Sequence, residues 1–382
     1  VPKRRILAVT GTRAEYGLLK PVLRALQKDS RVDLRLAAAG MHLRPEHGLT
    51  VREIVRDGFL VRHRVPLHGA TPAQLAAAVG RATTAFAAVF NREKPDLVLL
   101  LGDRCEVFSA AAAAAYMNLF IAHIHGGDRT RGGVDESARH AVTKLAHFHF
   151  PATRRSAARL VKLGENPARV FLSGSPALDD IPEARRWLKD ELLRRLKLPA
   201  MDYALFVQHP VTSRPEAAGW ETAESLNALA ALPLPTVAIH PNNDPGSPAV
   251  AAALEAFRRR HPASFWTFRN LARREYLGLL RHARVLLGNS SSGVIDAASF
   301  KVPVVDVGIR QAGREHSTNV IHVEPKAAAI RRGLARALSP AFAHRLRRCR
   351  NLYGDGRSGP RIARVLACLP LRPALLQKQI AY

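Results

Sequence analysis

Apolar and polar positions along the chain fall into two kinds of block. Short runs that are largely apolar, Ile6 to Thr10, Leu97 to Leu101 and Leu119 to Ile124, have the length of strands buried on both faces. Longer stretches between them, such as Leu18 to Leu26 and the alanine run Ala110 to Ala115, have helical character, and Val32 to Ala39 reads as a further strand. This strand and helix alternation predicts a parallel sheet covered on both sides. Beyond an expected strand at Val170 to Leu172 the pattern breaks near Gly174-Ser175-Pro176, and a charged helical linker runs from Pro182 to Leu196. A second series follows, with strands expected at Tyr203 to Val207, Thr236 to Ile239, Phe265 to Phe268, Val285 to Leu287 and Val302 to Val307. The fold class expected is α/β, with two Rossmann-like domains over residues 1–178 and 179–360 and a C-terminal helix and tail over 361–382. A chain of 382 residues is also long for one core.

Composition narrows the class. Hydrophobic residues make up 47%, which fits a globular chain rather than a disordered one. The N-terminus runs straight into the first strand, leaving no room for a signal peptide, and no apolar run reaches the roughly 18 residues of a transmembrane segment. Three widely separated cysteines, Cys105, Cys349 and Cys368, argue against a disulfide framework or a zinc site and favour a cytoplasmic location. The charge is unusual: 58 Lys plus Arg against 31 Asp plus Glu gives +27. The arginines are dispersed, and with aromatics at only 6% they lack the interleaving of a base-stacking surface. They read as solvated helix faces. No specific nucleic-acid partner is expected, and a weak surface affinity for polyanions is left to the Arg345 to Arg350 segment.

The candidate chemistry lies just past strand ends, where open α/β sheets gather ligands. Gly102-Asp103-Arg104 follows one strand, and His123-Ile124-His125-Gly126-Gly127-Asp128 closes another. Soon after comes Asp135-Glu136-Ser137-Ala138-Arg139-His140, with Asp135 and Arg139 one helical turn apart and able to pair. In the second series, Gly288-Asn289-Ser290-Ser291-Ser292-Gly293 precedes a helix-like Val294 to Ala298. Free N–H groups at a helix start, aided by serine hydroxyls, suit a pyrophosphate, although serine is also an ordinary cap. Asp296 is placed to accept from ribose hydroxyls. Arg310 and Arg314 follow the next strand, facing phosphates or bracing their loop, and His209 lies past Val207. On residue type alone such a histidine is more often structural. Gly11-Thr12-Arg13-Ala14-Glu15-Tyr16-Gly17 looks like a ligand loop but lacks the three-glycine dinucleotide spacing, so NAD is not expected.

Taken in order, these motifs with Tyr353-Gly354-Asp355-Gly356 resemble the hydrolysing UDP-N-acetylglucosamine 2-epimerases over about 350 residues. The resemblance implies a GT-B-like pair of Rossmann-like domains facing across a cleft, with the last helix returning to the first domain. It implies elimination of UDP to a glycal, then hydration with inversion at C2, with no metal and no cofactor. The catalytic positions it implies are Asp103, His125, Asp128, Asp135, Glu136, Arg139 and His209. Those expected on UDP or the sugar are Arg13, Glu15, Arg104, His209, Asn242, Ser290, Ser291, Asp296 and Arg310. The leading substrate is UDP-N-acetylglucosamine, giving N-acetylmannosamine for sialic-type acids. The family often has a glutamate where this chain has His125, and Glu where it has Asp128 and Asp296. His125 and the loop Arg129 to Val134 resemble the branch acting on UDP-N,N'-diacetylbacillosamine for legionaminic-type acids, which is the alternative. A GT-B glycosyltransferase, dependent on an acceptor, stands behind both. A homo-oligomer, dimer or tetramer, is expected.

Overall fold

In a computed structural model the described residues are 3–69, 71–129, 134–211, 213–241, 244–269 and 271–381. They form two six-stranded sheets, parallel throughout. The first contains β1 (Arg4–Thr10), β2 (Val32–Ala39), β3 (Val61–Val65), β4 (Leu97–Leu101), β5 (Phe120–Ile124) and β6 (Phe148–Phe150), in the order β3-β2-β1-β4-β5-β6. The second contains β7 (Ala204–Val207), β8 (Thr236–Ile239), β9 (Phe265–Phe268), β10 (Val285–Gly288), β11 (Val304–Val307) and β12 (Val320–Val323), in the order β12-β11-β10-β7-β8-β9. Both are the doubly wound Rossmann order, and the fold is GT-B-like. In each the winding reverses at the sheet centre, between β1 and β4 and between β7 and β10. Loops leaving those four strands part to opposite faces and open a crevice at the carboxyl edge.

Contacts divide the chain into two compact units. One comprises the described residues up to Arg129, those from Val134 to Asp179, and Tyr353 onward; the other is Asp180–Leu352. In the first unit, β4 is apolar throughout and both β4 and β5 are buried along their length, as parallel strands covered on both faces must be. One face carries Leu19, Leu23 and Leu26 of the helix Arg13–Gln27, joined by Ile362 and Leu366 of the helix Ser358–Cys368. The other face carries Ala78, Ala82, Phe86 and Phe90, spaced four apart along the helix Pro72–Glu93, beside Ala110, Ala111 and Ala114. Ala110, Ala111 and Ala114 lie on the helix Cys105–Tyr116, whose small side chains suit close packing on the sheet. Among the described residues Ala73–Glu93 is the one helix long and apolar enough to cross a membrane by length and composition, and its buried stripe packs on the sheet. The second unit's core gathers Phe206, Leu254, Phe257, Leu287, Val305 and Leu334.

Several boundaries differ from expectation. Val170 to Leu172 forms no strand; Val170 makes a single parallel bridge to His149 directly after a 3-10 turn, Pro167–Arg169. The expected linker helix is two short helices, Ile181–Ala184 and Lys189–Arg195. Strands β3, β6 and β12, all at sheet edges, are too short or too interrupted by polar residues for the apolar pattern to mark them. They are short, and β3 alternates buried and solvated positions rather than showing an apolar run. The expected boundary after Pro360 falls inside the helix Ser358–Cys368, and the return to the first unit begins at Tyr353.

Candidate active site

At the carboxyl edge of the first sheet, three separate chain segments converge on one arginine. Arg139, on the first turns of the helix Asp135–Leu145 and only 6% exposed, forms ion pairs with Asp103 just past β4 and with Glu136 at 3.3 Å. It also donates to the backbone carbonyl of Asp128 at 2.9 Å. A buried guanidinium between two carboxylates holds them close together. The expected pairing of Asp135 with Arg139 is not the one formed. Asp135 starts the helix with its side chain exposed, while Arg139 turns to Asp103 and Glu136. Glu136 also lies 3.4 Å from His140.

His125 stands beside this group in a left-handed backbone conformation, φ 64°. For a side-chain-bearing residue that costs about 1 kcal/mol or more, a strain that functional sites tolerate. Its Nδ1 lies 2.8 Å from Asp128 Oδ2 and its Nε2 lies 3.1 Å from Ser175 Oγ. Since Ser175 Oγ accepts from the Ala177 N–H, its own proton is available to His125 Nε2, which leaves Nδ1–H to donate to Asp128. Asp128 is fixed in turn by the Ser156 hydroxyl at 2.8 Å. The result is a Ser175–His125–Asp128 relay. Ser175 is fully buried, which suits it to orient the imidazole and not to attack a substrate.

Below the loops sits a second layer. Glu106 is 1% exposed, and a Cβ on Gly11 would meet its carboxyl carbon at 2.8 Å, which is why the loop after β1 needs glycine there. Arg104 pairs with Glu106 at 3.3 Å. Burial pushes the Arg104 pKa down, but Glu106 and its neighbours more than offset this and the net shift is upward. Glu15, expected on the substrate, instead turns inward and accepts from the Gly11 N–H at 3.0 Å. Burial pushes its carboxyl up to about 8, with Glu106 adding to the shift and the Gly11 N–H opposing it. Arg13 sits on the surface, paired with Glu53 at 2.9 Å. His42 and His123 are buried, and burial lowers them to about 4 and about 3, so both are neutral.

In the second unit, Asn289 ties the two central loops together. It accepts from the His209 N–H at 2.7 Å and donates to the His209 carbonyl at 2.8 Å. Ser290 caps the short helix Ser291–Ile295, accepting from the Ser292 N–H. Arg310 donates to the Asn289 carbonyl at 3.2 Å. Burial pushes its pKa down and Arg314 pushes the same way, so an anion placed there would relieve both. Asp296, expected on the ribose, is 3% exposed, with its oxygens already accepting from Arg273 at 3.0 Å and from Ser292 at 2.7 Å. It braces the loop. Asn242 lies outside the described residues. Among the described residues no group of three or more His, Cys, Asp and Glu is arranged to hold a metal ion.

Sequence reasoning missed Ser156, Ser175, Glu106, Arg273 and Asn289 as contributors. Glu106 and Asn289 stand inside or beside quoted motifs and were within reach. Ser156 and Arg273 come from helices distant in sequence from the loops they support, and no local pattern marks them.

A family model described as UDP-N-acetylglucosamine 2-epimerase matches residues 24–367. The chain is 39% identical to a UDP-N,N'-diacetylbacillosamine 2-epimerase (hydrolyzing) of Legionella pneumophila, over 99% of this chain and 100% of that one. It is 32% identical to a UDP-N-acetylglucosamine 2-epimerase of Neisseria meningitidis, over 84% of each. A solved Neisseria meningitidis UDP-GlcNAc 2-epimerase bound to UDP-GlcNAc superposes with a TM-score of 0.81 at 18% identity, covering 95% of this chain and 99% of that one.

Proposed function

The chain belongs to the UDP-N-acetylglucosamine 2-epimerase family, and from that premise we propose that it is a hydrolysing UDP-sugar 2-epimerase whose acids around Arg139 carry the proton transfers. In the first step a base takes the C2 proton, the C1–O bond breaks, and UDP leaves with the electron pair, giving a C1–C2 double bond. Water then adds its oxygen to C1, a proton returns to C2 from the opposite face, and the free 2-epimeric sugar departs. Such chemistry needs a positioned base, an acid, and cationic stabilisation of the leaving phosphate.

The observation that carries this reading is the convergence of Asp103, Asp128 and Glu136 on Arg139, with His125 held against Asp128. Arg139 positions Asp103 and Glu136 to act as bases, and the His125–Asp128 pair shuttles the second proton. Asp135, exposed at the start of the same helix, is a further acid within the set. In the second unit Arg310, Ser290 and Ser291 serve the diphosphate, and His209 the nucleotide. Arg104, Arg13 and Asn242 complete the proposed ligand contacts.

Full-length likeness to the Legionella protein at 39% favours the diacetamido sugar of legionaminic-type acids as substrate, and the presence of His125 agrees with it. The match to the family model and the Neisseria relative favour UDP-N-acetylglucosamine as the second reading. Free cysteines and a nucleotide-sugar substrate support work in the cytoplasm, and we propose a homo-oligomer there. Incubating the protein with each nucleotide sugar and following UDP and reducing sugar tests the proposal. Release from the diacetamido substrate at the higher kcat/KM is expected; no UDP from either would overturn the assignment.

A further inference from the structure

Glu136 and Arg139 stand where they do because the helix Asp135–Leu145 points them there, and the far end of that helix is held by residues more than two hundred positions away in sequence. The C-terminal segment lies along the first unit. Arg169 donates to the Leu375 carbonyl at 3.3 Å, His147 Nε2 to the Leu376 carbonyl at 3.2 Å, and the Ala381 N–H to the Gly164 carbonyl at 2.9 Å. Between these anchors Lys378 Nζ lies 2.9, 3.0 and 2.7 Å from the carbonyls of Thr143, Lys144 and Ala146. These are the groups a helix leaves unpaired at its C-terminal end, where its dipole favours a cation.

The same ammonium sits 2.5 Å from Glu165, a carboxylate only 1% exposed that also holds Lys144 at 2.9 Å and His149 at 2.8 Å. Burial pushes Glu165 up, but hydrogen bonds from His149, Lys378 and Lys144 bring it down to about 2, so it is charged at any working pH. Burial lowers Lys378 to about 8 against the pull of Glu165, which leaves it mostly an ammonium at neutral pH. A buried charge network is costly to assemble, more than a loosely lying tail requires. The clamped turn also connects to the site. Thr143 Oγ1 lies 3.3 Å from His123 Nδ1, and His123 Nε2 lies 2.7 Å from the carbonyl of Gly102, next to Asp103.

We propose that the C-terminal segment is a strap and Lys378 a positioning residue, which locks the last turn of the Asp135–Leu145 helix so that Glu136 and Arg139 stand in register with Asp103 and Asp128. This rests on the acid cluster being the reacting site. The test compares Lys378→Met and Lys378→Arg in the full chain, well below each melting temperature. It reads kcat and KM for UDP-sugar, UDP affinity, and amide hydrogen exchange over residues 140–146.

In Lys378→Met the exchange quickens and kcat falls about tenfold, as small misplacements of catalytic groups do. KM and UDP affinity stay within about twofold, and arginine restores most of the rate. A merely structural lysine would lower the melting temperature and leave kcat unchanged; that result, or unaltered exchange, overturns the proposal. If Lys378→Met does not fold, Ala381→Pro, which deletes one strap hydrogen bond, gives the same pattern at smaller size, and its absence counts equally against the strap. Failure of the parent chain to release UDP would refute the functional reading instead, while the exchange measurement would still decide the strap.

Discussion

Arg139 draws Asp103, Glu136 and the Asp128 backbone to one point, and Met at that position removes the charge while keeping most of the bulk. Arg139→Met lowers kcat about a hundredfold, the scale expected when one preorganised charge is lost, with UDP affinity nearly unchanged. Steady-state turnover and calorimetric UDP titration check this together, and wild-type kcat would remove Arg139 from the machinery. Glu15 makes a different prediction. Its folded-state pKa of about 8 lies above its ordinary 4.5, so the folded chain holds a proton that the unfolded chain releases. Its contribution to stability is therefore full below about 4.5 and is lost as pH rises to about 8. Glu15→Gln matches wild type in melting temperature near pH 5 and exceeds it near pH 8; a difference that does not vary with pH would contradict the buried neutral acid. Residue types at the strand ends were legible because acids and histidines beside apolar runs are conspicuous. The partners were not: Asp135 sits at helical spacing from Arg139, yet that arginine turns to Asp103, which only the sheet order brings near.

Helices and loops obey the same separation of local from distant information. Strands such as β4 and β7 are marked by unbroken apolar runs, whereas β3 and β12 lie at sheet edges and show mixed burial. The return helix Ser358–Cys368 depends on a partner from far away in sequence. Asp179 accepts from the N–H groups of Ser358 and Gly359 at 2.9 and 2.6 Å, an end-capping contact made without a local cap residue. Asp179→Ala costs about 1–2 kcal/mol, as loss of an N-terminal cap does, read as a lower denaturation midpoint at unchanged slope. In the second unit the loop carrying Arg310 has a half-buried cation repelled by Arg314. Arg310→Met weakens UDP binding by about tenfold or more, the worth of one charge-assisted phosphate contact, with little change in melting temperature. Unchanged UDP affinity would take Arg310 out of the diphosphate site.

At the scale of the whole molecule, the chain builds the same doubly wound sheet twice, and each copy places its chemistry at the strand ends flanking the switch point. Acids gather in the first unit, at Asp103, Asp128 and Glu136; small polar groups and cations gather in the second, at Asn289, Ser290 and Arg310. Under the proposed function the first set serves the sugar, which must lose and regain a proton, and the second the diphosphate, which leaves as an anion. The excess of 27 positive charges adds a general attraction for such anions, screened by salt. Elimination followed by hydration has one consequence that simple hydrolysis lacks: the hydrogen at C2 of the product comes from solvent. Proton NMR of the reaction run in D2O tests this directly. The expected products are UDP and a free 2-epimeric sugar carrying deuterium at C2; a released sugar that keeps its original C2 proton and configuration would rule out elimination followed by hydration.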